Sequence, residues 1–168
     1  MALIEQLGLK KDPIVKKWFA QVVDTYPAET ARFLRRQSDP FANPVGQTTL
    51  QGLRTLIDLL GAGFDVKSVQ EALDPIIRIR AIQDFTPARA TRFVFELKRI
   101  IRDEVPENQR SSEELQRMEH LIDEMALTAF DIYMQCREKI NDLKANEMKS
   151  RTYKAFARAG LIKEPDGE

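Results

Sequence analysis

The 168-residue chain contains one cysteine and one histidine, and it has no excess charge of either sign. Because Cys136 is alone, no disulfide can form within the chain, and we expect a reducing, cytoplasmic location. The 26 basic and 26 acidic side chains cancel, which argues against nucleic-acid binding. The longest uncharged run, residues 41–53, contains two glycines, a proline and several amides. We therefore expect no membrane insertion.

The scarcity of histidine and cysteine also limits the chemistry that the chain can perform. His120 and Cys136 lie on one predicted helix about 24 Å apart, too far to share a metal or to form a nucleophile–base pair. Gly61-Ala62-Gly63 follows a helix rather than a strand, which is typical of a helix end and not of a phosphate-binding loop. We predict no catalytic residue, no metal site and no cofactor, haem included. A thiol redox sensor using Cys136 and a helical protein that binds a small ligand or a metal stay open as alternatives.

Apolar side chains recur at spacings of three and four along nearly the whole chain, which predicts an all-α fold. Three helix starts are marked by a capping side chain followed by proline, at Asp12-Pro13, Asp74-Pro75 and Thr86-Pro87. The pattern predicts helices over about residues 13–26, 48–60, 65–73, 75–83 and 86–105, and one long helix from Ser111 towards Gly160. We expect one domain over residues 1–168, with a core at about 13–145, a helical extension at about 146–160 and a tail at 161–168.

Charge is distributed unevenly along this helical pattern. Between Arg78 and Arg102 seven basic residues stand against two acidic ones, and between Asp103 and Asp131 nine acidic residues stand against two basic ones. Antiparallel packing of the two segments would neutralise both. A basic surface that binds a partner is the alternative.

The long final helix carries a seven-residue repeat of apolar side chains, which is typical of a helix that pairs with another. We predict a parallel, two-fold homodimer with this helix at its centre and the first helix beside it. The predicted interface residues are Leu115, Met118, Ile122, Met125, Ala129, Ile132 and Cys136, with Trp18 from the first helix. A helix buried on both sides within the monomer is the alternative.

Two further segments have the residue types of fixed structural elements. The first is Asp39-Pro40-Phe41-Ala42-Asn43-Pro44-Val45-Gly46, in which the prolines restrict the backbone and Gly46 permits a sharp entry into the next helix. We expect Phe41 to anchor this loop in the core. The second segment is Ile76-Ile77-Arg78-Ile79-Arg80-Ala81-Ile82-Gln83-Asp84-Phe85-Thr86-Pro87, of which Arg78, Arg80, Gln83 and Asp84 are the characteristic members.

Together with the long helix, these two segments resemble the RsbRD N-terminal domain family, the sensor modules of RsbR-type stressosome proteins, over about residues 13–156. The resemblance implies a globin-like helical bundle without haem that dimerises through its first and last helices. In multidomain relatives the last helix continues into a phosphorylatable STAS domain. Since this sequence ends at Glu168, we expect a stand-alone member in which stressosome assembly is not carried over.

Similar stand-alone members occur beside genes of dissimilatory sulfur metabolism, which favours an accessory role to a redox system. The function we expect is that of a non-enzymatic, dimeric sensor or regulatory interaction domain in bacterial stress signalling. Its expected partners are a second copy of itself and a regulatory protein.

Overall fold

The computed structural model describes residues 2–162, and within them it contains α-helices and no strand. The helices are α1 (Leu3–Leu9), α2 (Lys11–Val23), α3 (Ala28–Arg36), α4 (Pro44–Ala62), α5 (Val66–Ile82), α6 (Pro87–Glu104) and α7 (Ser112–Arg158). A single 3-10 turn, Glu107–Gln109, precedes α7. The prediction of an all-α fold with a long C-terminal helix is confirmed. No helix in this part of the chain is both long and apolar enough to cross a membrane.

Side-chain caps begin several of these helices as the sequence predicts. The Thr86 side chain accepts a hydrogen bond from the Arg89 backbone N–H, with Pro87 at the first helical position. Ser111 caps α7 in the same way, and the Glu114 carboxylate accepts a hydrogen bond from the backbone N–H of Ser111. Both arrangements satisfy amide groups that a helix start leaves without partners.

The helix start predicted at Asp74-Pro75 is wrong, because α5 continues through Pro75 without a break. A proline inside a helix removes one hydrogen bond, and here packing of α5 against α4, α6 and α7 compensates for that loss. The Asp74 carboxylate does not cap a helix but pairs with Arg78, 2.8 Å away on the next turn. Asp12 likewise makes no cap, because α2 begins at Lys11, two residues before the predicted start at Pro13. The Asp12 carboxylate pairs with Arg54 instead.

The core lies between α2, α4, α5, α6 and the first half of α7. Trp18 is fully buried in it and donates a hydrogen bond from Nε1 to the carbonyl oxygen of Phe93, 2.6 Å away. Helix α1 packs on α4, and its Leu3 and Leu7 are buried as well. The core therefore begins near residue 3 and not near residue 13, because α1 covers the α4 side of the bundle.

Helix α7 extends beyond the domain on which it packs. With 47 residues it is about 70 Å long at 1.5 Å per residue. Its last buried side chain is Cys136, and every residue from Asn141 to Phe156 is exposed. We call Asn141–Arg158 the extension. It starts five residues before the predicted position, and the predicted tail falls largely on residues 163–168, outside the described part of the chain.

Candidate functional site

The seven-residue repeat of α7 faces the domain and not a second subunit. Met118, Ile122, Met125, Ala129, Ile132 and Cys136 all belong to the core of the single chain, and Leu115 is packed partly buried against it. Trp18, Ile122, Met125 and Ala129 have none of their surface exposed. Side chains that one chain covers cannot form an interface with another, so we correct the predicted dimer-interface residues. Those on α7 pack against α5 and α6, and Trp18 on α2 packs against Phe93 of α6.

A second row of apolar side chains runs along the opposite side of α7. Leu127, Phe130 and Met134 are 61, 46 and 38% exposed, and their spacing of three and four places them on one helix face. The row continues into the extension, where Ala145, Met148, Thr152 and Phe156 line one shallow groove. We call these seven residues the outer stripe. Glu138 and Asn141 separate its two parts.

The structure corrects the expected role of Phe41, which is 97% exposed and not an anchor of the loop. The residue that holds the loop is Asn43, which is fully buried. Its Nδ2 donates hydrogen bonds to the carbonyl oxygens of Leu34 and Gln37, at 3.1 and 2.8 Å, and its Oδ1 accepts one from the Gly46 N–H, at 2.9 Å. Asn43 thus joins the end of α3 to the start of α4.

Gly46 serves this arrangement by leaving space. A Cβ atom at this position would come within 2.3 to 2.8 Å of the Asn43 side-chain amide, which is far inside van der Waals contact. The conformational freedom that the sequence suggested for Gly46 is therefore not its function. Asp39 completes the loop by accepting hydrogen bonds from the N–H groups of Phe41 and Asn43.

The second characteristic segment is built around Arg80, a charged side chain with no exposed surface. Its guanidinium lies 4.4 Å from the ring centre of Phe85, and Tyr26 and Phe93 lie 5.6 and 5.5 Å away. Nε and Nη2 donate to the carbonyl oxygens of Ala90 and Arg89. Nη1 makes no hydrogen bond of standard geometry.

Burial lowers the pKa of Arg80, whereas the neighbouring Tyr26 side chain raises it by stabilising the charged form. An arginine remains protonated despite such a shift. The aromatic rings and the two carbonyl groups therefore hold a cation without a carboxylate partner, and they fix α5, the start of α6 and the α2–α3 corner to one another.

The same segment is tied to α7. Arg137 donates to the carbonyl oxygen of Ala81 and to the Asp84 carboxylate, at 3.1 and 3.0 Å, and the Tyr133 hydroxyl donates to the carbonyl oxygen of Phe85. Asp84 has a φ of +58°, a left-handed conformation that side chains other than glycine seldom adopt. Arg78 and Gln83, by contrast, are exposed on the outside of the segment.

The two opposite charge blocks meet only in part. Across the α6–α7 contact, Lys98 pairs with Asp123 and Arg102 pairs with Glu119, as the neutralisation hypothesis predicts. At the other end of α6, Arg89 and Arg92 are exposed and have no carboxylate partner in the described part of the chain. Acidic residues of α7 thus neutralise the basic residues near the end of α6, and those near its start are not neutralised within the described part of the chain.

The two residues considered for chemistry lie apart, as their spacing predicts. His120 is exposed on the surface of α7, and Cys136 is buried. Burial raises the pKa of the Cys136 thiol, and Arg78 only partly opposes this effect. Within residues 2–162 no group of three or more histidine, cysteine, aspartate or glutamate side chains is placed to hold a metal ion.

The chain is thus an all-α domain whose characteristic residues fix its architecture and whose last helix extends beyond it. It belongs to the family described as the RsbT co-antagonist protein rsbRD N-terminal domain, which matches residues 12–148. This is a family of stressosome-type signalling sensor domains.

Among curated proteins, the chain is similar to an uncharacterized protein of Archaeoglobus fulgidus. The two are 27% identical over 146 residues, which cover 83% of this chain and 85% of the other. No solved structure matches the chain.

Proposed function

We propose that this chain is a non-enzymatic, cytoplasmic sensor or regulatory interaction module of bacterial signalling, and that it works as a homodimer joined along the outer stripe of α7. Membership in a signalling family supports the first part of this proposal. The second part rests on one observation, the exposed apolar side chains of the outer stripe, which α7 turns away from its own domain.

The exposure of the extension supports a covering partner. A helix is stabilised mainly by packing of its apolar face against neighbouring elements. The extension has no such packing in the described part of the chain, and Met148 and Phe156 of the outer stripe are 70 and 47% exposed. A second α7 alongside the first would cover the outer stripe over its whole length.

The spacing within the outer face favours a parallel arrangement. Leu127, Met134, Asn141, Met148 and Ala155 follow one another at intervals of seven, the repeat of a left-handed coiled coil. A single asparagine in such a series specifies the register, because two copies in parallel place their amides opposite each other. In an antiparallel pair centred elsewhere, Asn141 would face an apolar side chain.

Light scattering of the purified chain tests the dimer. We expect a mass of about twice 19.3 kDa for the parent, and the monomer mass for the Leu127→Glu/Met134→Glu variant, since like charges would meet across the two-fold axis. The matched control is Val66→Glu/Ile82→Glu, which changes two exposed apolar residues of α5 and should remain dimeric. A monomeric parent at micromolar concentration would refute the dimer.

The thiol-sensor alternative gains no support from the surroundings of Cys136. A redox-sensing cysteine needs an exposed thiol with a lowered pKa, whereas this thiol is buried and its pKa is raised.

A further inference from the structure

Four arginines at one corner of the domain have no carboxylate partner in the described part of the chain. They are Arg32, Arg36, Arg89 and Arg92. Elsewhere on the domain exposed arginines are paired, for example Arg54 with Asp12 and Arg78 with Asp74.

The four arginines belong to one continuous surface. Arg32 and Arg36 line two adjoining hollows beside α3. Asp24 lines one of these and also a third hollow, which Arg89 and Arg92 line. The carboxylates along this surface do not neutralise the four. Asp24 pairs with Arg35 and Glu96 with Arg99, which leaves Glu29 as the remaining acidic group of the three hollows. Asp39 adds one further carboxylate on the loop that carries Phe41.

One exposed aromatic ring lies on this surface, and a second lies on the loop that follows α3. Phe33 projects from α3 between Arg32 and Arg36 and is 48% exposed. Phe41 is 97% exposed on the loop that leaves α3, and that loop is fixed by the buried side chain of Asn43. A rigid loop that presents a bare phenylalanine loses little conformational entropy when a partner covers the ring.

We propose that this surface, the arginine face (Arg32, Phe33, Arg36, Phe41, Arg89 and Arg92), docks an acidic segment of a different protein. Its carboxylates would pair with the four arginines, and an apolar pocket beside them would receive Phe41. Arginine and aromatic side chains are enriched where proteins bind proteins. The inference extends the proposed function by assigning the partner surface, and it does not depend on dimerisation.

The extent and composition of the arginine face favour a protein segment over other anions. Arg89 and Arg92 lie one turn apart on α6, and Arg32 and Arg36 one turn apart on α3, so the charges are spread over more than one phosphate or carboxylate group could contact. The exposed phenylalanines gain from burial against apolar side chains. The balanced charge of the whole chain disfavours nucleic acid, whose binding relies on excess positive charge.

Fluorescence anisotropy tests the charge requirement with the full chain at low ionic strength and fluorescein-labelled decaglutamate as the probe. We expect decaglutamate to bind and decaglutamine not to bind. Arg32→Glu/Arg92→Glu should weaken binding at least about tenfold. Neither side chain makes a hydrogen bond or ion pair in the described part of the chain, so the melting temperature should not change.

The control, Lys149→Glu/Lys154→Glu, makes the same change in charge on the extension and should weaken binding less than about twofold. An equal loss in both variants would show non-specific attraction and overturn the proposal. Absence of decaglutamate binding, or tighter arginine-dependent binding of a single-stranded oligonucleotide, would overturn it as well.

Photocrosslinking in cells that produce the protein identifies the occupant. With p-benzoylphenylalanine in place of Phe41, we expect crosslinks to a segment of another protein in which carboxylates outnumber basic side chains, and loss of these crosslinks in the Arg32→Glu/Arg92→Glu background. The control places the same group at Leu9, an exposed residue of α1 beside the start of α2, whereas the arginine face lies at the end of α2. Crosslinks only to a second copy of the chain, only to nucleic acid, or to the same partners from position 9 would contradict the proposal. Light scattering tests the dimer separately. A monomeric parent would therefore refute the dimer and leave the crosslinking result for the arginine face unaffected.

Discussion

The two parts of α7 carry apolar side chains at the same helical spacing but in opposite environments. Before Ile140, Ile122 and Met125 have no exposed surface, whereas in the extension Leu143 and Met148 are more than half exposed. The difference arises because α5 and α6 cover only the first part of the helix. Periodicity shows that a helix has a face to be covered, and the position of neighbouring helices decides what covers it.

The largest expected effect comes from placing a charge on the covered part of α7. Ile122→Asp would bury a carboxylate without a partner, and we expect a loss of more than about 4 kcal/mol in the free energy of unfolding. Leu143→Asp makes the same change in chemistry on the extension and should cost less than about 0.5 kcal/mol in the monomer. Urea denaturation of both variants measures the difference. Equal losses would show that the extension packs on the domain.

Arg80 and Arg78, in the segment of residues 76–87, allow the same comparison between a buried and an exposed side chain. Arg80→Ala removes two hydrogen bonds and the contacts with three aromatic rings, and we expect a loss of about 3 kcal/mol. Arg78→Ala breaks one exposed ion pair and should cost less than about 1 kcal/mol. Equal losses of stability in the two variants, measured by thermal unfolding, would show that the Arg80 guanidinium does not hold α5, α6 and the α2–α3 corner together.

In the loop before α4, the polar residue Asn43 is buried and the aromatic residue Phe41 is exposed. Asn43→Ala leaves the Gly46 N–H and two carbonyl groups without their partner, and we expect a loss of about 2 kcal/mol. Phe41→Ala should change the free energy of unfolding by less than about 0.5 kcal/mol. A larger effect at Phe41 than at Asn43, measured by urea denaturation, would refute this assignment.

The smallest expected effect concerns Cys136, the last covered residue of α7. Burial raises the pKa of its thiol in the folded state, so its contribution to stability is complete below the pKa of an unfolded thiol, about 8.5. That contribution is lost as pH rises further. The urea midpoint should therefore fall more between about pH 8 and pH 10 in the parent than in Cys136→Ala. Identical pH dependence would show that the thiol titrates alike in both states.

The all-α fold and most helix starts follow from the sequence because local signals determine them. Thr86-Pro87 acts within one turn and caps α6 as predicted. Helix α7 begins after Ser111 as predicted, with a capping box that Glu114 completes. Asp74-Pro75 has the same local signal, yet packing from neighbouring helices carries α5 through it. Local chemistry therefore predicted a helix start where tertiary contacts did not permit one.

The characteristic segments were recognised from the sequence, but the roles of their residues were not. Residue type suggested that Phe41 is buried, whereas the structure buries Asn43, since only an amide can bond α3 and α4 at once. The sequence placed the expected dimer interface on the seven-residue series that contains Ile122 and Ala129, which the domain itself covers. Leu127 and Phe130 lie outside that series, and they form the exposed face of α7.

Disulfide crosslinking of the extension tests the central claim, the pairing of two α7 helices along the outer stripe, most directly. In a Cys136→Ala background, Met148→Cys places a thiol on the outer stripe, and Lys154→Cys places one on another face of the same exposed helix. In a parallel pair each residue of the stripe meets its own copy. We expect rapid oxidation of the Met148→Cys variant to a covalent dimer and little crosslinking of Lys154→Cys. Equal rates for the two variants, or a faster reaction at position 154, would contradict pairing along the outer stripe.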